Sequence, residues 1–220
     1  MFDVCKRLAV WVSLSLALGS STPASFAQVV NGDFSAGNTG FTSGYTFIPS
    51  GTSLAPGTYG IRTSPHDFNA LEYDFGDHTT GSGNMLIADG DGITNTVWQE
   101  SLTVQPGRNY TFSAWVSSVG VSDNTNPAVM NVLVNGTALG QPFTAAPPLP
   151  TGNWQRFTYS WNSGSSTSAV LQIIDSNTNT LGNDFALDDI AFTPVPEPSA
   201  LLLAGLATTA WAASRHLRRR

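Results

Sequence analysis

Residues 28–193 read as an all-β domain, an antiparallel β-sandwich or jelly roll, and three observations carry that prediction. Apolar and polar residues alternate with period two in at least six short runs, and no run in this region keeps a helical period. Glycine, proline and asparagine stand between the runs, and the chain holds 21 glycines and 13 prolines to build such turns. Charged residues make up only 11% of the sequence, against about 25% in an average soluble protein. A chain so poor in charge is neither a disordered polyelectrolyte nor a bundle of helices with solvated faces.

The runs follow one another closely. Residues 97–104 place Trp98, Leu102 and Val104 on one side, then Gln105-Pro106-Gly107 forms a turn before residues 109–116. These two runs are expected to pair as a hairpin. In the second, Tyr110, Phe112, Ala114 and Val116 make one face, and Thr111, Ser113, Trp115 and Ser117 the other. Residues 128–134 align Met130, Val132 and Val134 and end at Asn135-Gly136, a strong turn dipeptide. Residues 155–161 alternate Phe157, Tyr159 and Trp161 with Arg156, Thr158 and Ser160, and residues 169–175 and 185–192 complete the set. The Pro/Ala-rich stretch 141–150 is a loop inside the domain, because one strand pair on either side would not stand alone. With no repeat and no internal boundary, the chain divides into 1–27, 28–193 and 194–220.

Charge separates these parts. Residues 28–193 hold three basic side chains, Arg62, Arg108 and Arg156, against thirteen acidic ones, a net of −10 within an overall −6. A body this acidic is repelled by phosphate backbones, which argues against nucleic-acid binding. Lys6 and Arg7 precede an eleven-residue apolar run, 8–18, and a Gly/Ser/Pro stretch that reaches Ser25-Phe26-Ala27. That is the order of a secretory signal peptide, with cleavage expected after Ala27 and Gln28 as the new N-terminus. An uncleaved anchor is the alternative, but the run has about half of the ~20 residues a span requires. Cys5, the sole cysteine, lies inside this signal, so the exported chain uses no disulfide, thiolate nucleophile or Cys-ligated metal.

At the other end Pro196-Glu197-Pro198 opens an apolar stretch of fourteen residues, 200–213, that closes in Arg215, Arg218, Arg219 and Arg220. At about 1.5 Å per residue the stretch spans about 21 Å, short of a hydrocarbon core of about 30 Å; residues 198–217 fit better. This is a short C-terminal transmembrane helix with its arginines on the cytoplasmic side. The tripeptide, the Leu/Ala/Gly helix and the arginine cluster, in this order, closely resemble the PEP-CTERM sorting signal of Gram-negative bacteria. The resemblance implies recognition by an exosortase, a membrane protease-transpeptidase. It further implies transient anchoring in the inner membrane and transfer to the cell surface or exopolysaccharide matrix. A plain tail anchor is the alternative, and it leaves Pro-Glu-Pro unexplained.

A second resemblance covers the body. Val29-Val30-Asn31-Gly32-Asp33-Phe34, Gln99, the Pro106-Gly107 turn with Tyr110-Thr111-Phe112-Ser113-Ala114-Trp115, Trp154-Gln155-Arg156-Phe157 and Leu187-Asp188-Asp189-Ile190 resemble the galactose-binding-like β-sandwich of carbohydrate-binding modules. The resemblance implies that the first and last strands lie close and share a structural Ca²⁺. Asp188 or Asp189 would match the closing aspartates, and Asn31 and Asp33 the opening loop, as hard oxygen ligands. Ser35 stands where that family commonly has Glu.

Other constellations are weaker. Asp89-Gly90-Asp91-Gly92 lacks the further ligands and terminal Glu of an EF-hand loop and reads as a turn. His66, Asp67, Asp74, Asp77 and His78 have no metal-ligand spacing and read as a solvated loop. Glu72 and Glu100 are the body's only glutamates, no spacing pairs them for glycoside hydrolysis, and no G-x-S-x-G elbow supplies a serine nucleophile. The chain therefore reads as a non-enzyme. Binding has more support: Trp115 falls on a polar face, and the same alternation puts Gln99, Asn131 and Gln172 on polar positions of neighbouring strands. A flat aromatic among amides suits a sugar ring, whose C–H faces stack while its hydroxyls find donors and acceptors. The alternative is a Trp115 covered by a loop; Trp98, Trp154 and Trp161 read as core. The expected protein is a secreted, non-catalytic surface or matrix component with weak glycan affinity. A structural or adhesive matrix protein without a sugar site and a secreted hydrolase are the other readings.

Overall fold

The structure, a computed structural model, describes residues 28–120 and 126–196. The expected signal peptide, the transmembrane helix and Glu197, Pro198, Arg218, Arg219 and Arg220 of the sorting motif lie outside the described residues.

In chain order the elements are β1 (Thr46–Phe47), β2 (Thr58–Arg62), α1 (Pro65–Phe68), β3 (Met85–Asp89), β4 (Asn95–Thr103), β5 (Asn109–Ser118), β6 (Val129–Val134), β7 (Thr137–Ala138), β8 (Phe143–Thr144), β9 (Gln155–Asn162), β10 (Ser168–Asp175) and β11 (Phe185–Pro194). They form two sheets. One has the order β1-β2-β3-β11-β5-β9; the other runs β4-β10-β6-β7, with β8 also on β6. All pairings are antiparallel except β1 with β2. This is the all-β sandwich that the alternation predicts.

The two inner faces meet in one core. Tyr110, Phe112, Ala114 and Val116 of β5 and Phe185, Leu187 and Phe192 of β11 face Trp98 and Leu102 of β4, Met130 and Val132 of β6, and Leu171 and Ile173 of β10. The rings of Tyr110 and Phe192 stack at 4.8 Å and 3°. Each large side chain so removed from water contributes about 1.5–3 kcal/mol. On β10 every second residue from Ala169 to Asp175 is buried, the signature of a strand with one wet face.

The expected hairpin of residues 97–104 with 109–116 does not form. β4 pairs with β10, β5 pairs with β11 and β9, and the turn between them carries the chain from one sheet to the other. Alternation sets which way each side chain points but not which strand lies alongside. Crossing over brings the apolar rows of Trp98 and Phe112 face to face, where a hairpin would leave both on one sheet. The crossing is held by the Gln105 amide, which donates to Tyr110 Oη at 2.9 Å, and by Ser163 Oγ, which donates to the Gln105 carbonyl at 2.7 Å. A bulge in β4 adds one residue: Ile173 pairs with Trp98 and Ile174 with Thr96, so Val97 is extra and both Val97 and Trp98 are buried.

The segment after β2 is not the solvated loop expected for residues 66–78. It folds back over the outer face of the six-stranded sheet and buries Phe68, Phe75, Met85, Ile87, Val119 and Ala186 in a second, smaller core. All five residues of β3 are buried as a result. Helix α1 begins this cover: Ser64 Oγ accepts from the His66 amide at 3.2 Å, and Pro65, which has no N–H to satisfy, takes the first helical position. Asp77 is buried and His78 half-buried, while His66, Asp67 and Asp74 remain exposed.

Phe112→Ala should lower stability by about 3–5 kcal/mol in urea unfolding, the cost of a cavity between two packed sheets. An unchanged midpoint would contradict the shared core.

Candidate functional site

β11 falls out of register with β5 where the closing aspartates lie: Asp188 is opposite Trp115 and Ala191 opposite Ser113, so β11 carries one residue more. Asp189 adopts the left-handed backbone region, φ 50°, which aspartate tolerates better than most residues. In a regular strand consecutive side chains point to opposite faces; here the bulge turns both carboxylates outward, toward the loop after Phe75. The opening motif packs against the same bulge. The Ile190 amide donates to the Gly32 carbonyl at 2.9 Å, and a Cβ on Gly32 would lie 2.0 Å from the Ile190 carbonyl oxygen. The backbones approach too closely for any residue but glycine.

Asp188 is fully buried. Its Oδ2 accepts from the amides of His78 and Thr79 at 2.9 and 3.0 Å, and its Oδ1 from the Asp189 amide at 2.8 Å. Thr79 Oγ1 has one proton for two carboxylates; it lies 2.7 Å from Asp189 Oδ1 and 3.1 Å from Asp188 Oδ2, so the shorter bond takes it. Asp189 Oδ2 pairs with His78 Nδ1 at 2.6 Å. Burial pushes the Asp188 carboxyl up to about 6, with the Asp189 charge adding to it and the donated hydrogen bonds opposing. Asp77 closes the far side of the loop. Burial raises it, but donors from Gly83, Thr80 and Ser82 outweigh burial and hold it below the usual carboxylate range. The imidazole of His78 stacks on Trp115 at 3.7 Å and 18° and meets the Trp154 ring edge-on at 5.9 Å.

Of the four residues expected to hold Ca²⁺, Asn31, Asp33 and Asp189 line one cleft and Asp188 does not. The Asp188 oxygens accept from N–H and O–H donors of His78, Thr79 and Asp189. Asn31 closes its own loop, its amide nitrogen donating to the Gly37 and Thr39 carbonyls at 2.8 Å. Asp33 Oδ1 accepts from the amide and hydroxyl of Ser35. Among the described residues no group of three or more His, Cys, Asp or Glu is arranged to hold a metal ion. As folded, these side chains do not fit calcium.

Beside the bulge lies a cleft of about 480 Å³. The register places its parts: Trp115 sits between Asp188 of β11 and Arg156 of β9, and Ser113 comes two residues earlier on the same face of β5. The Arg156 guanidinium donates to Ser113 Oγ at 3.3 Å. Gln28, Asn31, Asp33 and Asp189 supply further polar groups to the lining. With part of Trp115 under His78, the rest of its ring forms apolar lining among donors and acceptors of both kinds.

Of the four expected glycan ligands only Trp115 is here. Gln99, Asn131 and Gln172 lie on the outer face of the five-stranded sheet, where Gln172 Nε2 donates to Gln99 Oε1 at 2.9 Å. Each points outward as alternation requires, but from the opposite side of the molecule. Ser113 shares the outward face of Trp115 as alternation predicts, whereas Arg156, His78 and Thr79 come to it from other segments. Arg156 carried a legible sign, its outward position on the strand of Phe157; His78 carried none beyond a polar neighbourhood.

The PEP-CTERM protein-sorting motif matches residues 194–220, so the chain carries a sorting signal of that class. No curated protein matches the chain. Among solved structures, a Stig cyclase from Fischerella sp. TAU, in complex with an indole compound, superposes with a TM-score of 0.54 at 12% identity, over 78% of this chain and 98% of that one. The CBM22-1 xylan-binding domain from Paenibacillus barcinonensis gives 0.41 at 16% identity, over 67% and 90%. The sugar-binding EclA C-terminal domain gives 0.39 at 14% identity; the matched part is 44% of this chain and 66%, just under two thirds, of that domain. The cyclase superposition shows a common β-sandwich fold; the two sugar-binding domains fit too loosely to carry an argument.

Asp188→Asn puts an N–H₂ against two backbone N–H groups and should destabilise the domain by about 1–3 kcal/mol. Hydrogen exchange should speed up over residues 77–83 before the core strands are affected. An exchange profile identical to the unaltered protein would show that the loop is held by something else.

Proposed function

We propose that this is a non-catalytic glycan-binding protein, processed by an exosortase at residues 194–220 and displayed at the cell surface or in the exopolysaccharide matrix, with the Trp115–Arg156 cleft as its sugar site. The observation that carries this reading is the position of an aromatic ring in an open cleft among groups that can meet hydroxyls. The ring supplies a surface for sugar C–H groups, the Arg156 fork supplies donors, and the carboxylates of Asp33 and Asp189 supply acceptors. Asp189 is held by His78 and Thr79, which suits an acceptor fixed in place rather than a proton carrier. The sorting motif agrees with a binding role, since it delivers the domain to where polysaccharide is.

The stack of His78 on Trp115 favours a second reading, a structural matrix protein in which Trp115 is only packing. Retention of the exported protein on insoluble polysaccharides separates the two. Trp115→Ala should reduce retention at least about tenfold, equivalent to ~1.4 kcal/mol, and Arg156→Ala should weaken it as well. Gln172→Ala, on the opposite face, should leave it unchanged. Equal retention of wild type and Trp115→Ala, or none by either, would leave the structural reading.

Replacing Pro196, Glu197 and Pro198 together by alanine should leave the arginine-rich tail attached in cells that contain the exosortase. The C-terminal mass of the recovered protein reads this directly; normal trimming of the triple variant would mean that these three residues are not the signal.

A further inference from the structure

A second cleft, which shares no residue with the first, lies where β3 ends and β11 begins. Asp89 and Asp184 reach it from the two strand ends, and Glu72 from the covering segment, anchored there by its bridge to Gly120. The negative charge of Asp184 acts on both Glu72 and Asp89. What acts on the three groups is burial, one another and local hydrogen bonds, with no basic side chain among the causes.

Glu72 is only 6% exposed, and while its Oε1 accepts from Asn69 Nδ2 at 3.0 Å, its Oε2 has no hydrogen-bond partner. A buried oxygen left without a donor costs about 1–3 kcal/mol and more when charged. This one belongs to the lining of a cleft of about 340 Å³, within the range of small-molecule pockets at ~300–1,000 Å³.

The rim has the opposite character. Leu54, Leu71 and Leu181, from three separate loops, are 65%, 61% and 67% exposed, and all three line this cleft. Large apolar side chains that gather in water around one concavity mark a binding surface. A bare metal ion would leave them uncovered, and the carboxyls are not arranged to hold one. An acidic floor under an apolar rim matches a molecule with a positive end and an apolar body. We propose that this cleft binds a small organic ammonium, a primary amine on an aryl or alkyl body, with the nitrogen donating to Glu72 Oε2 in the negative field of Asp89 and Asp184 and the body against Leu54, Leu71 and Leu181.

The protons on the floor give the site a signature. Burial and neighbouring carboxylates push Glu72 up to about 9 and Asp89 up to about 7, and Asp184 is raised by burial too. An ammonium favours the ionised carboxylates, so its binding expels protons and strengthens as pH rises from 6 toward 9. The other titratable neighbours do not reverse this: Asp175 adds negative charge at Asp184, Tyr45 feels Asp89, and the His66 ring lies against the Glu72 carbonyl rather than its carboxyl. Without ligand the folded state holds more protons than the unfolded one between about pH 4 and 9, so stability falls as pH rises through that window and an amine restores it.

Calorimetric titration of the full chain with 2-phenylethylamine, 2-phenylethanol and calcium chloride at pH 6 and pH 8 tests the assignment. The amine should bind at least about tenfold more tightly at pH 8, with proton release visible as a buffer-dependent heat, and at least about tenfold more tightly than the alcohol. Glu72→Gln, which keeps the shape, and Leu181→Ser, on the exposed rim, should each weaken the amine about tenfold or more without changing retention on polysaccharide. If Glu72→Gln does not fold, Leu181→Ser decides. The proposal is overturned if the alcohol binds as well as the amine, if calcium alone gives heat, if neither organic probe binds, or if Leu181→Ser binds the amine as tightly as the unaltered protein. Loss of sugar retention in the unaltered protein would bear on the Trp115 cleft and leave this outcome standing.

Discussion

One extra residue in β11 organises everything outside the sandwich core. It turns Asp188 and Asp189 to the same side, where they take the backbone and side-chain donors of His78 and Thr79. That grip holds the covering segment on the outer face of the six-stranded sheet, and with it the second core around Phe68 and Phe75. It also sets His78 on Trp115 and gives Gly32 the backbone against which the opening turn rests. The wall of the Trp115 cleft and the cover that carries Glu72 to the second cleft both follow from it.

The domain handles buried carboxylates in an unusual solvent of its own making, with three basic side chains against thirteen acidic ones in residues 28–193. Counter-ions are scarce, so two other devices appear. Asp188 is surrounded by N–H and O–H donors, as is the equally buried Asp175, which accepts from the amides of Val129 and Asn177 and from the Asn183 side chain. Beside Asp184 the device is protonation of Glu72, which burial pushes up to about 9; this needs no cation but leaves the cluster sensitive to pH. The first arrangement is a structural clamp. The second is a loaded floor, stable as long as it keeps its protons or exchanges them for a positive ligand.

These features suit a protein that is exported and then left in place. The body is stabilised by packing between sheets and by local hydrogen bonds. Its two clefts open on different parts of the surface, so occupation of one does not block the other. The sorting motif directs the chain to the cell surface.

The sandwich was legible in the chain because a strand writes its two faces directly into residue order: Tyr110, Phe112 and Ala114 inward, Ser113 and Trp115 outward. The sorting motif was legible because it is read as linear sequence, residue by residue. Partnership between strands was not. The alternation of Gln99 and Gln172 is identical in kind to that of Trp115, and only the crossing of the chain between sheets puts them on opposite faces. The bulge at Asp189, the stack of His78 on Trp115 and the meeting of Glu72 with Asp89 and Asp184 join residues far apart in the chain. No spacing announces such contacts; they exist because packing the core places those backbones within hydrogen-bonding distance.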